Sequence, residues 1–251
     1  MAAVCSEIFG WLFILQGLNE TKRYEQMPTI LITGANRGIG YALAESYVKD
    51  GWRVLAACRS ADALVPEGAE ACVLDVADPA SLTRLKEALA DTPIDILWNN
   101  AGVYLDKGQS LQDISDEDWL RSFQINTVAP IRIADALAAN VAASERKVMV
   151  FTTSIMASLT GNGVGAYAYR SSKTALNMAV RCLSKDLSEQ KISCLMQHPG
   201  HVRTDMGGKE GAIDTATSVA GMRGVVDQVN PSNQSEFNGQ YFNYDGSPIS
   251  W

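Results

Sequence analysis

Short runs of β-branched and other apolar residues alternate with longer helical patterns from Pro28 onward, and this alternation is the strongest constraint on the fold. Consecutive parallel strands need a long crossover, usually a helix, so this order predicts a parallel sheet with helices on both faces. Strands are predicted at Thr29–Thr33, Arg53–Ala57, Glu70–Leu74, Ile94–Trp98, Lys147–Thr152, Lys191–Gln197 and Gln240–Asn243. Helices are predicted at Ile39–Lys49, Pro79–Ala90, Asp116–Val141, Ala166–Ser188 and Ile213–Asp227. The pattern indicates an α/β protein with a doubly wound parallel sheet of about seven strands.

One connection between predicted strands is too short for a full helix. The segment Arg59–Ala69 contains Pro66 and Gly68, so we expect a turn or a stub of helix there. The chain of 251 residues shows no repeat, low-complexity tract or linker, and its length suits one large α/β domain. We therefore assign a single domain to residues 27–251.

Residues 1–26 do not continue this pattern. Their apolar stretch, Ile8–Leu18, is shorter than the roughly 20 residues that span a bilayer, and no basic segment or clear cleavage site marks a signal peptide. Three interpretations are open: a mis-assigned start, an interfacial amphipathic appendage, or an extra helix packed on the domain. The first is favoured because Met27 immediately precedes the first predicted strand.

Composition argues against several functional classes. A hydrophobic content of 47% and a charged content of 20% are typical of a soluble globular protein, and the net charge of −7 argues against a nucleic-acid partner. The five cysteines form no CxxC motif and most lie in apolar runs, so we expect reduced, buried thiols. Two histidines are too few for a histidine-rich metal site. These features favour a cytoplasmic protein without a membrane span or a bound metal.

A glycine-rich turn lies between the first predicted strand and the first predicted helix. It has the spacing GxxxGxG and includes Gly34, Asn36, Arg37, Gly38, Ile39 and Gly40. In Rossmann-like folds such a turn lets a pyrophosphate approach the backbone, and the helix N-terminus supplies amides and a favourable dipole. The position of the turn therefore predicts a dinucleotide site on a Rossmann-like sheet.

The end of the second strand indicates which dinucleotide enters. An acidic residue there binds the ribose 2′-hydroxyl, whereas an arginine accommodates a 2′-phosphate. Here the strand runs into Arg59, no acid occurs before Asp62, and Arg37 adds a second positive charge in the glycine turn. The two arginines favour NADP(H), with NAD(H) as the alternative.

Two further segments contain residues that alter the backbone conformation: a turn with glycine and a helix with proline. The sequence Asn99-Asn100-Ala101-Gly102 closes the fourth predicted strand, where the strand order reverses, so this turn is expected to line the cofactor. Pro130 lies within the predicted helix Asp116–Val141, and its ring displaces the carbonyl of Asn126, four residues earlier. A kink there could direct the freed backbone towards water or another backbone group.

A tyrosine and a lysine stand four residues apart in the predicted helix Ala166–Ser188. Tyr169 and Lys173 share one helix face, so a cation could stabilise the phenolate of a residue whose ordinary pKa is about 10. Ser154 follows the fifth predicted strand, with Ser158 as a second candidate for a hydroxyl that holds a carbonyl oxygen. The set is suited to proton transfer at a carbonyl or alcohol.

These motifs occur in a fixed order: TGxxxGxG, NNAG, a helix asparagine, a serine, YxxxK, and then Pro199-Gly200-His201-Val202-Arg203-Thr204. From about Thr29 to its C-terminus the chain resembles the short-chain dehydrogenase/reductase superfamily, and within it the C-factor-like and sniffer-type carbonyl reductases. Each motif alone is weak, but the ordered set is specific. The first 26 residues fall outside the resemblance.

The resemblance implies roles for four side chains. Tyr169 would be the catalytic acid/base, and Lys173 would hold the nicotinamide ribose and lower the tyrosine pKa. Ser154 would orient the carbonyl, and Asn126 would place a water behind Lys173. Ala157, where glycine is usual, and a longer serine-to-tyrosine spacing depart from the family pattern, so the choice between Ser154 and Ser158 stays open.

The resemblance also implies a set of cofactor contacts beyond the glycine turn. Asp75 matches the adenine-side acid, and Asn100 lies beside the ribose. The complete expected set is Gly34, Asn36, Arg37, Gly38, Ile39, Gly40, Arg59, Asp75, Val76, Asn100, Ala101, Gly102, Tyr169, Lys173, Pro199, Gly200, Val202 and Thr204.

The expected function is an NADP(H)-dependent oxidoreductase of the carbonyl reductase or alcohol dehydrogenase type. The span after Thr204, where this family builds its substrate cover, is short and polar, so we expect small aldehydes or ketones as substrates. The alternative is a non-catalytic signalling or cofactor-sensing protein on the same fold. A homo-oligomer is compatible with the sequence.

Overall fold

The computed structural model describes residues 27–161 and 163–251, so the expectations for residues 1–26 lie outside it. Its strands are β1 (Thr29–Thr33), β2 (Arg53–Cys58), β3 (Glu70–Val73), β4 (Ile96–Asn99), β5 (Val148–Thr152), β6 (Ser193–His198) and β7 (Tyr241–Asn243). They form one sheet in the order β3-β2-β1-β4-β5-β6-β7, in which every neighbouring pair is parallel. The predicted α/β fold with a Rossmann-like sheet is confirmed.

The strand order reverses beside β1. From β1 the chain moves outward through β2 to β3, then returns to the other side of β1 as β4 and continues to β7. All residues of β1, β4 and β5 are buried, whereas the edge strand β3 alternates between half-buried and exposed residues. Ligands of open parallel sheets bind at the carboxyl ends of the strands where the order reverses. The ends of β1, β4 and β5 therefore define the crevice in which a site is expected.

Helices cover both faces of the sheet. They are α1 (Gly38–Lys49), α2 (Pro79–Leu89), α3 (Asp116–Phe123), a π-helical turn (Gln124–Val128), α4 (Ala129–Ala136), α5 (Ala138–Ala142), α6 (Tyr167–Asp186), α7 (Thr215–Val226) and the short α8 (Gln234–Phe237). Apolar side chains of α1 and α7 pack on one face, and those of α2, α4 and α6 pack on the other. The β2–β3 connection contains only turns and bends, as its proline and glycine predicted.

The prediction of one helix over Asp116–Val141 is wrong. The segment divides into α3, the π-helical turn, α4 and α5. Pro130 has no amide hydrogen to donate to the Asn126 carbonyl, and just before it the amide of Ala129 donates to the carbonyl of Gln124, five residues earlier. The proline interrupts the regular hydrogen bonding through a widened turn, and the backbone at both ends of that turn keeps right-handed helical dihedrals.

The cysteines are only partly buried, contrary to the expectation. Cys58 and Cys194 are buried and free, Cys72 is half-buried, and Cys182 is exposed on α6. Apolar neighbours in the sequence misled the prediction for Cys182 because adjacent residues of a helix point in different directions and only those three or four apart share a face. Cys5 lies outside the described residues.

No helix within residues 27–161 and 163–251 is both long enough and apolar enough to span a membrane. The same residues contain no group of three or more histidine, cysteine, aspartate or glutamate side chains placed to bind a metal ion.

Candidate active site

Glycine is required at two points of the loop between β1 and α1. Gly34 has a φ of +68°, and a Cβ on Gly40 would lie 2.2 Å from the Gly34 carbonyl oxygen. The helix begins at Gly38 after Arg37, whose side chain makes no capping hydrogen bond, so the first amides of α1 are available to an anion. The loop therefore fits the pyrophosphate of a dinucleotide.

Asn100 ties the end of β4 to the glycine loop. Its Nδ2 donates to the carbonyl oxygens of Thr33 (3.0 Å) and Gly34 (3.4 Å). In return, Thr33 Oγ1 accepts hydrogen bonds from the amides of Asn100 and Ala101, each at 3.0 Å. The Asn100 side chain therefore links the end of β4 to the glycine loop. A Cβ on Gly40 would lie 2.6 Å from Asn100 Nδ2, so a side chain at position 40 would displace this link.

Two exposed arginines flank the glycine loop. The loop begins beside β2, since the Gly34 amide donates to the Ala57 carbonyl at 2.8 Å, and Arg59 stands just beyond the end of that strand. Among the described residues, Arg59 has no salt-bridge partner. Arg37 pairs with Asp205 at 3.4 Å, but both side chains are mostly exposed, so this contact is weak and can exchange for a phosphate. The two charges fit a 2′-phosphate.

The remaining expected cofactor residues lie at the ends of β3 and β6. Asp75 forms a local turn in which its Oδ1 accepts the Ala77 amide at 2.9 Å. Beyond β6, a Cβ on Gly38 would lie 3.5 Å from the Thr204 methyl group, which places Thr204 against the glycine loop. The other members of this set are Val76, Pro199, Gly200 and Val202, of which only Val202 is buried.

Tyr169 lies in the first turn of α6 and is only 8% exposed. Its ring stacks on that of Tyr104, with a centroid separation of 4.3 Å and an interplanar angle of 19°. Burial raises the pKa of Tyr169 to about 12, and the neighbouring Ser154 side chain acts in the opposite direction. The phenol is therefore protonated at neutral pH.

Lys173 follows one helical turn later and is 4% exposed. Its Nζ donates to the Thr152 carbonyl oxygen at 2.8 Å. A Cβ on Gly102 would lie 3.4 Å from Lys173 Nζ and 3.1 Å from Asn126 Oδ1, so these three residues converge and a side chain at position 102 would crowd the other two. Burial lowers the pKa of Lys173 to about 8.

The expectation that Lys173 lowers the pKa of Tyr169 is not met in this structure. Burial disfavours the charged form of each group, which raises the phenol pKa and lowers the ammonium pKa. The sequence spacing correctly placed both residues on one helix face, but it carried no information on desolvation.

Asn126 is fully buried, and its side chain holds the loop after β4. Its Oδ1 accepts the Val103 amide at 2.9 Å, and its Nδ2 donates to the Val103 carbonyl (2.9 Å) and to Ser172 Oγ (3.0 Å). Most of the hydrogen-bonding capacity of the amide is thus used within the protein. The backbone carbonyl of Asn126 receives no hydrogen bond from Pro130, which has no amide hydrogen. This carbonyl is therefore better suited than the side-chain amide to bind a water.

The two candidate serines have different surroundings. Ser158 Oγ donates to the Ser250 carbonyl at 2.6 Å and lies 2.8 Å from Thr160 Oγ1. Ser154 Oγ accepts the Met156 amide at 3.2 Å, and its side chain also hydrogen-bonds to the phenol of Tyr169. Ser154 therefore lies beside Tyr169, whereas Ser158 is bonded to the C-terminal segment.

Sequence reasoning missed Tyr104 and Asp106, which both contact the first turn of α6. No local pattern could have identified them because their partners lie more than 60 residues away along the chain.

Comparisons with known proteins agree with this geometry. Residues 28–224 match the family model described as short chain dehydrogenase. C-signal of Myxococcus xanthus is 41% identical over 162 residues, which cover 63% of this chain and 93% of that protein.

Two solved structures share the fold over 90% of this chain. The carbonyl reductase Sniffer of D. melanogaster has a TM-score of 0.79 and 29% identity, with 100% of its own chain covered. The NADPH-bound carbonyl reductase from chicken fatty liver has a TM-score of 0.79 and 26% identity, with 99% of its own chain covered.

Lys173→Met is expected to stabilise the protein. At pH 7 the folded state carries an ammonium whose pKa is lowered from 10.5 to about 8, a cost of about 3 kcal/mol, whereas the lost charge-assisted bond to the Thr152 carbonyl is worth about 2 kcal/mol. The net gain of about 1 kcal/mol should raise the unfolding temperature by roughly 2–4 °C in calorimetry.

The matched control is Lys185→Met, an exposed lysine of the same helix, which should change the unfolding temperature little. Because the Lys173 pKa is lowered in the folded state, its penalty is fully present below about pH 8 and fades as pH rises towards the unfolded-state value. A lower unfolding temperature for Lys173→Met than for the control would contradict this account.

Proposed function

The chain belongs to the short chain dehydrogenase family, and we propose that it is an NADP(H)-dependent carbonyl reductase that acts on small aldehydes or ketones. One observation carries the proposal: a buried tyrosine, protonated at neutral pH, hydrogen-bonds to a serine side chain and lies one helical turn before a buried lysine. This set faces the crevice that contains the glycine loop.

The residues of the chain have distinct tasks in this reaction. When bound, NADPH supplies the hydride that reaches the carbonyl carbon. Ser154 donates a hydrogen bond to the carbonyl oxygen and Tyr169 donates its proton to the same atom as negative charge develops there. The phenolate left on Tyr169 regains a proton that the Lys173 ammonium gives up, and a water held by the Asn126 backbone carbonyl returns a proton from solvent to Lys173.

General acid catalysis accounts for part of the rate only. It contributes typically 10²–10⁴-fold, so most of the remaining acceleration comes from the cofactor and from holding the reacting groups in position. Burial of Tyr169 and Lys173 serves this positioning because side chains packed on all sides have few alternative rotamers.

The preference for NADP(H) rests on Arg59 and Arg37. Both are exposed beside the glycine loop, and neither is held by a strong ion pair. A structural relative from chicken fatty liver contains NADPH. The proposal that substrates are small rests on the span after Thr204, where residues 205–210 are mainly polar or glycine.

One observation favours a second function. The relative named C-signal, 41% identical over its matched part, suggests a signalling role for this chain. A signalling protein would need no proton donor, so the buried Tyr169 beside Ser154 and Lys173 weighs against a purely non-catalytic role. Turnover of NADPH with a panel of small carbonyls distinguishes the two.

Tyr169→Phe is expected to lower kcat by about 10²-fold or more, because the phenol is the proton donor, while NADPH affinity changes little. Carbonyl-dependent oxidation of NADPH measures kcat, and quenching of cofactor fluorescence measures affinity. Tyr167→Phe removes a hydroxyl from a more exposed tyrosine of the same helix turn and should keep wild-type kcat. Retention of more than about a tenth of wild-type kcat by Tyr169→Phe would refute the assigned role.

A paired substitution identifies the serine that contacts the carbonyl. Loss of a hydrogen-bond donor to a developing oxyanion costs roughly 10²–10³-fold, so Ser154→Ala should lower kcat/KM for the carbonyl by this factor. Ser158→Ala should leave it close to wild type, since Ser158 Oγ is bonded to the Ser250 carbonyl. The reverse order of the two effects would assign the role to Ser158.

Arg59→Asp should weaken NADPH binding by roughly ten- to a hundredfold, because a charge-assisted phosphate contact is lost and a carboxylate repels the phosphate. NADH binding should change little, so the ratio of the two affinities, measured by fluorescence titration, should fall. Lys49→Asp makes the same charge change at the far end of α1 and should leave the ratio unaltered. An unchanged ratio in Arg59→Asp would point to Arg37 or to NAD(H).

A further inference from the structure

The helix that carries Tyr169 lacks a local cap. The residue before its first turn, Ala166, has a φ of +52° and no side chain able to accept a hydrogen bond from the helix. The first intrahelical bond runs from the Arg170 amide to the Ala166 carbonyl, so the amides before Arg170 need acceptors elsewhere. Since Ala168 and Tyr169 are buried, water is not a ready substitute as an acceptor for their amides.

A carboxylate from a distant segment supplies these acceptors. Asp106 Oδ2 accepts the Ala168 amide at 2.8 Å, and its Oδ1 accepts the Tyr169 amide at 3.2 Å. The residue is completely buried and lies more than 60 positions earlier in the chain, in the loop after β4. A buried carboxylate is costly unless hydrogen-bonded, and negative charge is favoured at a helix N-terminus, so the two groups satisfy each other.

The loop that contains Asp106 also contacts the phenol ring of Tyr169. Tyr104, two positions earlier, stacks on Tyr169 at a centroid separation of 4.3 Å. Val103 in turn is fixed by two hydrogen bonds of 2.9 Å to the Asn126 side chain. The loop thus holds the backbone of Tyr169 through Asp106 and its ring through Tyr104.

We propose that Asp106 is a positioning residue for proton transfer: by binding the Tyr169 amide, it sets the direction from which the phenol reaches the substrate oxygen beside Ser154. This inference rests on the proposed function. The Tyr169 side chain starts from the backbone that Asp106 holds, so a small rotation of the first turn of α6 moves the hydroxyl by more than the backbone. Displacements of about 1 Å in a reacting group can lower a rate about 10²-fold.

The variants that test this are Asp106→Ala, which removes both acceptors, and Asp106→Asn, which keeps one acceptor oxygen without the charge. The control is Asp78→Ala. Asp78 caps α2 in the same manner, accepting the amides of Ala80 (2.9 Å) and Ser81 (3.2 Å), but it contacts no proposed catalytic residue. All assays are run well below the unfolding temperature of each variant.

We expect Asp106→Ala to lower kcat about ten- to a hundredfold, with Asp106→Asn intermediate and NADPH affinity within about twofold of wild type. Asp78→Ala should lose stability while keeping kcat. Equal kcat values for Asp106→Ala and Asp78→Ala, both folded, would overturn the proposal and leave Asp106 as an ordinary helix cap. A parallel loss of NADPH affinity and kcat would also overturn it.

Hydrogen exchange of the first turn of α6 provides a readout that needs no turnover. Exchange at Ala168 and Tyr169 should accelerate in Asp106→Ala and remain at the wild-type rate in Asp78→Ala, as followed by mass spectrometry of peptides covering this turn. Unchanged exchange in Asp106→Ala would refute the contact itself. If the wild-type protein oxidises no NADPH with any carbonyl, while the two variants still differ in exchange as described, the proposed function is refuted and the contact is upheld.

Discussion

Desolvation of two side chains one helical turn apart, Tyr169 and Lys173, is the constraint on which the site depends. Burial disfavours the charged form of each, so the phenol keeps its proton at neutral pH and the ammonium becomes easier to deprotonate. A protonated phenol is the form that can donate a proton to a carbonyl oxygen. The low exposure of the pair costs folding free energy that the rest of the domain must offset.

The sheet topology explains how residues far apart in sequence reach this pair. The reversal of strand order beside β1 brings the ends of β1, β4 and β5 to one crevice, each followed by a short functional segment. The glycine loop follows β1, the Asn-Asn-Ala-Gly turn follows β4, and Ser154 follows β5. Asn100 and Asn126 then join these segments through hydrogen bonds to backbone groups. Close packing is possible because Gly40 and Gly102 carry no side chain.

Much of the fold could be predicted from the sequence, because strand and helix positions follow from local periodicity and turn residues. The features that escaped prediction depend on tertiary contacts. The widened turn at Gln124–Val128 lies just before Pro130, whose position in the sequence does not show how the lost hydrogen bond is rearranged. The Asp106 cap crosses more than 60 residues. Ser154 and Ser158 could not be separated from sequence because the distinction depends on the Ser250 carbonyl. Spacing alone likewise gave no information on the burial that raises the Tyr169 pKa.

The central claim is that NADPH-dependent reduction depends on the desolvated lysine beside the phenol. The most direct test is the pH dependence of kcat/KM for NADPH at a saturating concentration of a small carbonyl, since this parameter reports the free enzyme. The Lys173 ammonium is present below its lowered pKa and lost above it, so kcat/KM should fall as pH rises through about 8. A value that stays constant from about pH 7 to about pH 10, where an ordinary lysine would remain charged, would contradict the account, as would the absence of any carbonyl-dependent oxidation of NADPH.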